Sequence, residues 1–150
     1  HRDAVILQEY GCGRTYGEPD TNSSGRADMW TVFNECSYLV EAKQVWPSVK
    51  SNAPYFGVVP HVLDSALDQA RSYDDQPDNY VAAVFSVPII TRGNEVAAAE
   101  VAKGVRAEHV GLGRHSGFRA DFFPARDRLD PAEDAYRYPG VTLFLSIRNG

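Results

Sequence analysis

Residues 38–48 read YLVEAKQVWPS. Leu39, Val40, Val45 and Trp46 belong to a strand heading for burial, yet Glu41 and Lys43 interrupt the apolar run. Side chains alternate along a strand, so residues two apart project from the same face and these opposite charges are neighbours. Two readings follow. An exposed ion pair on an edge strand would stabilise little. A pair set into a strand with work to do would need chemical partners elsewhere in the chain.

The preceding stretch supplies one. ADMWTVF (27–33) is rich in β-formers and aromatics, and only Asn34 and Glu35 separate it from CSYLVEAKQVW (36–46). The pattern predicts two adjacent antiparallel strands joined by a tight turn. Asp28 opens the first and Glu41 lies midway along the second, so a strand, a turn and a return bring the carboxylates together. Converging carboxylates repel unless a cation lies between them, and hard oxygen ligands suit Mg²⁺ or Mn²⁺. Such an ion lowers the pKa of a bound water and polarises a phosphoryl oxygen, while the Lys43 ammonium orients that water or shields developing charge.

The segments that follow extend the pattern. In HVLDSALDQARSY (61–73), Val62, Leu63, Ala66, Leu67, Ala70 and Tyr73 recur at helical spacing. YVAAVFSVPII (80–90) is a continuous apolar run rich in Val, Ile and Phe, and predicts a central strand covered on both faces.

Asp28 with Glu41-Ala42-Lys43, then an amphipathic helix and a buried strand, resembles the PD-(D/E)XK nuclease superfamily, over about residues 5 to 90. The resemblance implies a restriction-endonuclease-like fold and metal-dependent hydrolysis of nucleic acid. It implies Asp28 and Glu41 as metal ligands, the Ala42 carbonyl as a further ligand, and Lys43 beside the attacking water. Gln69 and Tyr73 match the QxxxY motif of RecB-like members, whose side chains face the site. Glu9 falls where several members carry an additional acidic ligand. Ala27 stands in place of the namesake proline, and the literal Pro19-Asp20 lies in a Gly-rich loop, so Asp20 ranks second to Asp28.

Composition bounds the reading. The 150 residues are 43% hydrophobic and 23% charged, which fits one globular domain over 1–150, complete or part of a longer chain. No run is long enough for a membrane span. Two cysteines, Cys12 and Cys36, lack metal-ligand spacing and fit a reducing cytoplasm. A formal net charge of -5 argues against electrostatic coating of nucleic acid but is compatible with a nuclease, whose site itself needs acidic ligands.

The remaining segments complete the order. Residues 3–10 read as a short helix or the end of a longer one, and 11–25 as a loop. EVAAAEVAKGVRAEHV (95–110) reads as a second helix weakened by Gly104, residues 111–140 as mostly irregular, and VTLFLSI (141–147) as a closing strand. GLGRHSGFR gathers Arg114, His115 and Arg119 in a loop suited to phosphate contact, or to ordinary surface charge. Its GLG lacks the strand and helix of a dinucleotide turn, and His115-Ser116 lacks a nucleophile elbow. His61 is expected to flank its helix. Trp30 and Trp46 are expected in the core, unless one lines a groove and stacks on a base.

The expectation is a mixed α/β sheet flanked by helices that hydrolyses phosphodiester bonds with Mg²⁺, or Mn²⁺ in its place. DNA is favoured over RNA, no membrane is involved, and a homodimer is compatible with the reading. The alternative is a catalytically inactive module of the same fold that binds nucleic acid or a protein partner.

Overall fold

The hairpin at the heart of the sequence forms as its residues predict. The computed structural model describes residues 5–15, 22–49, 55–91, 98–108, 117–123 and 136–150, with the backbone alone at 5–15, 22–26, 91, 98–99 and 136–137. Strands β2 (Asn22–Phe33) and β3 (Cys36–Val45) pair antiparallel from Phe33 opposite Cys36 to Met29 opposite Val40. Between them Asn34 and Glu35 both adopt left-handed backbone, with φ of 51° and 66°. Positive φ at both central residues is the type I′ arrangement, whose twist matches that of the flanking strands. Asn visits this region readily and Glu does not, which is why the turn is harder to read here than an Asn-Gly pair would be.

β3 lies in the sheet interior. Helix α1 (Val59–Arg71) connects it to the parallel strand β4 (Asn79–Ser86), the crossover that parallel neighbours require. β1 (Val5–Thr15), β6 (Gly117–Phe122) and β8 (Val141–Asn149) complete a six-stranded mixed sheet ordered β1-β2-β3-β4-β8-β6. Ile90–Thr91 (β5) and Tyr136–Arg137 (β7) pair separately, and α2 covers Ala98–Ala107. The chain is thus a mixed α/β protein, and among its described helices none is long and apolar enough to cross a membrane.

Both described helices pack on one face of the sheet. Leu63, Ala66 and Leu67 of α1 and Val101 and Val105 of α2 share a cluster with Phe56, Ala82, Val84 and Phe144. The central strand therefore has its expected helical cover on that side. On the other side Val40, Val81 and Ala83 are buried by strand residues such as Met29, Leu143 and Leu145, with no described helix over them. Gly104, an apparent weakness of α2, has a packing reason: a Cβ there would meet the Tyr55 ring at 3.1 Å.

Three expectations are corrected. Residues 5–10 are strand, not helix, because ten register pairs tie β1 to β2. Pairing with a neighbour outweighs a local pattern in which VILQEY suits either state. Residues 11–15 and 22–25, read as loop, continue the two strands despite Gly11, Gly13 and Gly25. Within 111–140, read as irregular, residues 117–122 form the edge strand β6, anchored by β8.

A polar clip joins the starts of β3 and β4. The Asp78 carboxylate accepts bonds from the Ser37 amide and hydroxyl, both 2.7 Å. These bonds, the Ser37 amide first, hold its carboxyl below the ordinary carboxylate range. A lowered folded-state pKa contributes stability above the unfolded value of 3.8, which is lost as pH falls through the folded value. Asp78→Ala is therefore expected to be less stable than the parent at neutral pH, with the gap closing below about pH 3.8. Urea unfolding of both proteins across pH 2–7 checks this.

Candidate active site

The Glu41–Lys43 pair is not a surface ion pair. Glu41 is 2% exposed and lies opposite Ala82 of the central strand, while Lys43 lies opposite Val84. Burial of a carboxylate this deep is costly unless it is paired and hydrogen-bonded. The Lys43 ammonium is 3.0 Å from Glu41 Oε1. Tyr73 donates its hydroxyl proton to Glu41 Oε2 at 3.1 Å. Both carboxylate oxygens are thus held.

Helix α1 closes the arrangement into a ring. Lys43 also donates to Gln69 Oε1 at 2.5 Å, and Gln69 Nε2 donates to the Tyr73 hydroxyl at 3.3 Å. The spacing that brings Gln69 and Tyr73 together is one helical turn, although Tyr73 lies just past the helix end at Arg71. Leu63 and Leu67 of the same helix point into the large core, while Ala70 and Tyr73 pack on Ala27 and Leu39. The polar ring is therefore walled by apolar contacts on the side of the sheet that α1 covers. Lys43 has three donors, of which two are used within the ring. Its side chain is 30% exposed, and the third N–H has no acceptor among the described residues.

Asp28 sits where β2 parts from β3. The ladder between them ends at Met29–Val40, and Asp28 occupies the next position, level with Glu41. Ala27 and Trp30, three apart, pack in the same cluster, so the strict two-residue alternation breaks between them. Without a strand partner there, the Ala42 N–H takes Asp28 Oδ2 as its acceptor at 2.7 Å. Asp28 is exposed, and its Oδ1 accepts no bond from the described residues.

The structure thus brings together Asp28, Glu41, Ala42, Lys43, Gln69 and Tyr73. Glu9 is on β1 between Gln8 and Tyr10, whose partners Met29 and Ala27 flank Asp28, so its backbone lies beside the acidic position of β2. No described set of three or more His, Cys, Asp or Glu is arranged to hold a metal ion. Arg114 and His115, like Asp20, lie outside the described residues.

Arg119 is committed elsewhere. On β6 it donates to the Glu108 and Val105 carbonyls at the end of α2 and to Asp121, using three of its five donors, and lies over the Phe56 ring at 4.8 Å. That engagement satisfies the orphan carbonyls of a helix C-terminus and corrects its expected place in a phosphate-contact loop. His61, expected to flank its helix, lies inside the first turn of α1, because the helix starts earlier, at Val59, and it is exposed there. Trp46, expected in the core, is 48% exposed, and Cys36 is a free thiol.

Glu108, which no sequence pattern marks, accepts the Tyr55 and Phe56 amides at 2.7 and 3.1 Å and so ties the approach to α1 onto α2. No spacing signal marks a contact made across about fifty residues. Comparisons with protein-family models, curated proteins and solved structures returned no match for this chain.

Proposed function

We propose that this protein is a metal-dependent nuclease of the PD-(D/E)XK type, hydrolysing phosphodiester bonds in DNA. One observation carries the reading: a lysine and a buried glutamate two residues apart on an interior strand, closed into a ring by Gln69 and Tyr73 and flanked by an exposed aspartate. A surface ion pair needs none of this. The order β1-β2-β3, α1 and a parallel β4 supplies the mixed sheet and the second helix that the resemblance implies, whereas the helix implied ahead of them is the strand β1 at residues 5–15.

The donor set is chemically suited to Mg²⁺. The Asp28 carboxylate, with one oxygen free of described bonds, the Glu41 carboxylate and the Ala42 carbonyl offer hard oxygens on adjoining positions of two strands. When bound, Mg²⁺ supplies Lewis acidity toward a phosphoryl oxygen and eases deprotonation of water. Everything else falls to the chain. Tyr73 and Lys43 hold the two Glu41 oxygens in place, Gln69 fixes the ammonium, and the third Lys43 N–H is left for a water or phosphate oxygen. Fixed donors of this kind need no reorganisation as negative charge develops.

A second reading has its own support. Both Glu41 oxygens are already engaged, which suits an inactive module that binds nucleic acid or a protein partner without cutting, and the net charge of -5 favours the protein partner. Crystals grown with Mn²⁺ separate the two. The nuclease reading expects an anomalous peak about 2.0–2.2 Å from Asp28 and Glu41 oxygens, with added DNA cut in the same buffer. The absence of both would favour the binding module.

A further inference from the structure

β3 does not end at the polar ring. Val45 follows Lys43 by two residues on the same face, roughly 7 Å further along the strand, and it lines a cavity of about 300 Å³ together with Trp46, Pro47, Tyr55, Gly57 and Val58. The walls are apolar and aromatic. Trp46 and Val58 are about half exposed, so the cavity opens to solvent. Tyr138 meets the indole edge-on, with ring centroids 5.5 Å apart and planes at 68°, which fixes the ring without covering it. Tyr55 is held by its amide bond to Glu108 and by the fit of its ring against Gly104.

An aromatic cavity on the same strand as Lys43, the lysine that the nuclease reading sets against phosphate, suits a flat, mostly apolar group attached to that phosphate by a short linker. We propose that this cavity receives an unpaired nucleobase of the strand whose phosphodiester lies at Lys43, the base stacking on Trp46 and Tyr55. The proposal rests on the nuclease reading for the phosphate and on the cavity itself for the base. A base can stack in such a pocket only when it has left a duplex, so the substrate class is single-stranded DNA, or ends and flaps with unpaired nucleotides. Stacking tolerates every base, so little sequence preference comes from this cavity.

The test uses tryptophan emission, independent of turnover. With Ca²⁺ in place of Mg²⁺, oligothymidylate is expected to quench the parent protein, and the quench should vanish in Trp46→Phe, where only Trp30 emits. Trp46→Ala should weaken oligothymidylate binding about tenfold, within the range for loss of one stacked base, while Trp46→Phe retains most of it. A blunt hairpin duplex should quench little. The proposal is overturned if the parent is not quenched, if Trp46→Ala binds as well as the parent, or if the duplex quenches equally. Metal-dependent cleavage without quenching would remove the base pocket and leave the nuclease reading standing. Quenching without cleavage would keep the pocket and remove the nuclease reading.

Discussion

Glu41→Gln is expected to reduce Mg²⁺-dependent DNA cleavage by at least about a hundredfold, the scale of losing a fixed charge at a reacting centre. The amide keeps the shape of the side chain and a bond from Tyr73, so the fold should survive. It cannot offer two anionic oxygens to a cation, so the loss should fall on metal affinity, and excess Mn²⁺ should restore part of the rate. Glu41→Ala should behave alike, with a modest stability cost. Its former partner Lys43 is 30% exposed and still bonded to Gln69, so the orphaned ammonium reaches water. Cleavage assays with each metal, beside thermal melts, check both parts. Undiminished cleavage by either variant would remove Glu41 from the site.

Lys43→Ala is expected to abolish cleavage while sparing metal binding, because Asp28 and Glu41 remain. Its effect on stability should be the larger of the two. Glu41 would be left as a buried carboxylate with the Tyr73 hydroxyl as its remaining described partner, and breaking a buried pair from one side costs about 3–5 kcal/mol. The asymmetry follows from exposure: Lys43 can turn to solvent and Glu41 cannot. Replacing both, as Glu41→Leu with Lys43→Met, should recover most of that stability, since apolar groups of similar volume often equal or better a buried ion pair. That double variant would be stable and inactive, the pattern of a pair retained for chemistry. Urea unfolding and DNA retention in Ca²⁺ distinguish this outcome from simple misfolding. A Lys43→Ala protein that is fully stable would show that the pair is not buried as described.

Legibility of this chain in its sequence varied with the range of the forces involved. The β2–β3 hairpin, α1 and β4 were readable because periodicity and a two-residue turn are local signals, whereas Gln69 and Tyr73 stood out only through the QxxxY motif that the resemblance supplies. β1 was misread because VILQEY has no strong preference of its own and takes its state from β2. β6 was missed for the same reason: GFRADF is mostly exposed and is strand only because β8 offers it an edge. Within the candidate site, the ring was anticipated as a grouping but its closure was not. That Tyr73 reaches Glu41 depends on how α1 lies over β3, which no residue spacing encodes. The loss of side-chain alternation at Asp28 was equally hidden, since β2 runs on unbroken in register with β1 and Ala27-Asp28-Met29 carries neither Gly nor Pro. Arg119 was misplaced because its partners, the last carbonyls of α2, exist only once that helix has formed.

The central claim is that the ring on β3 and α1 serves a metal-dependent phosphodiesterase. Its most direct test is a Mg²⁺ titration of plasmid and single-stranded circle cleavage by the purified parent protein, with an EDTA arm. Cleavage that rises with Mg²⁺ to saturation and disappears in EDTA is the predicted result. A protein that is folded and pure yet leaves both substrates intact at every Mg²⁺ and Mn²⁺ concentration would contradict it.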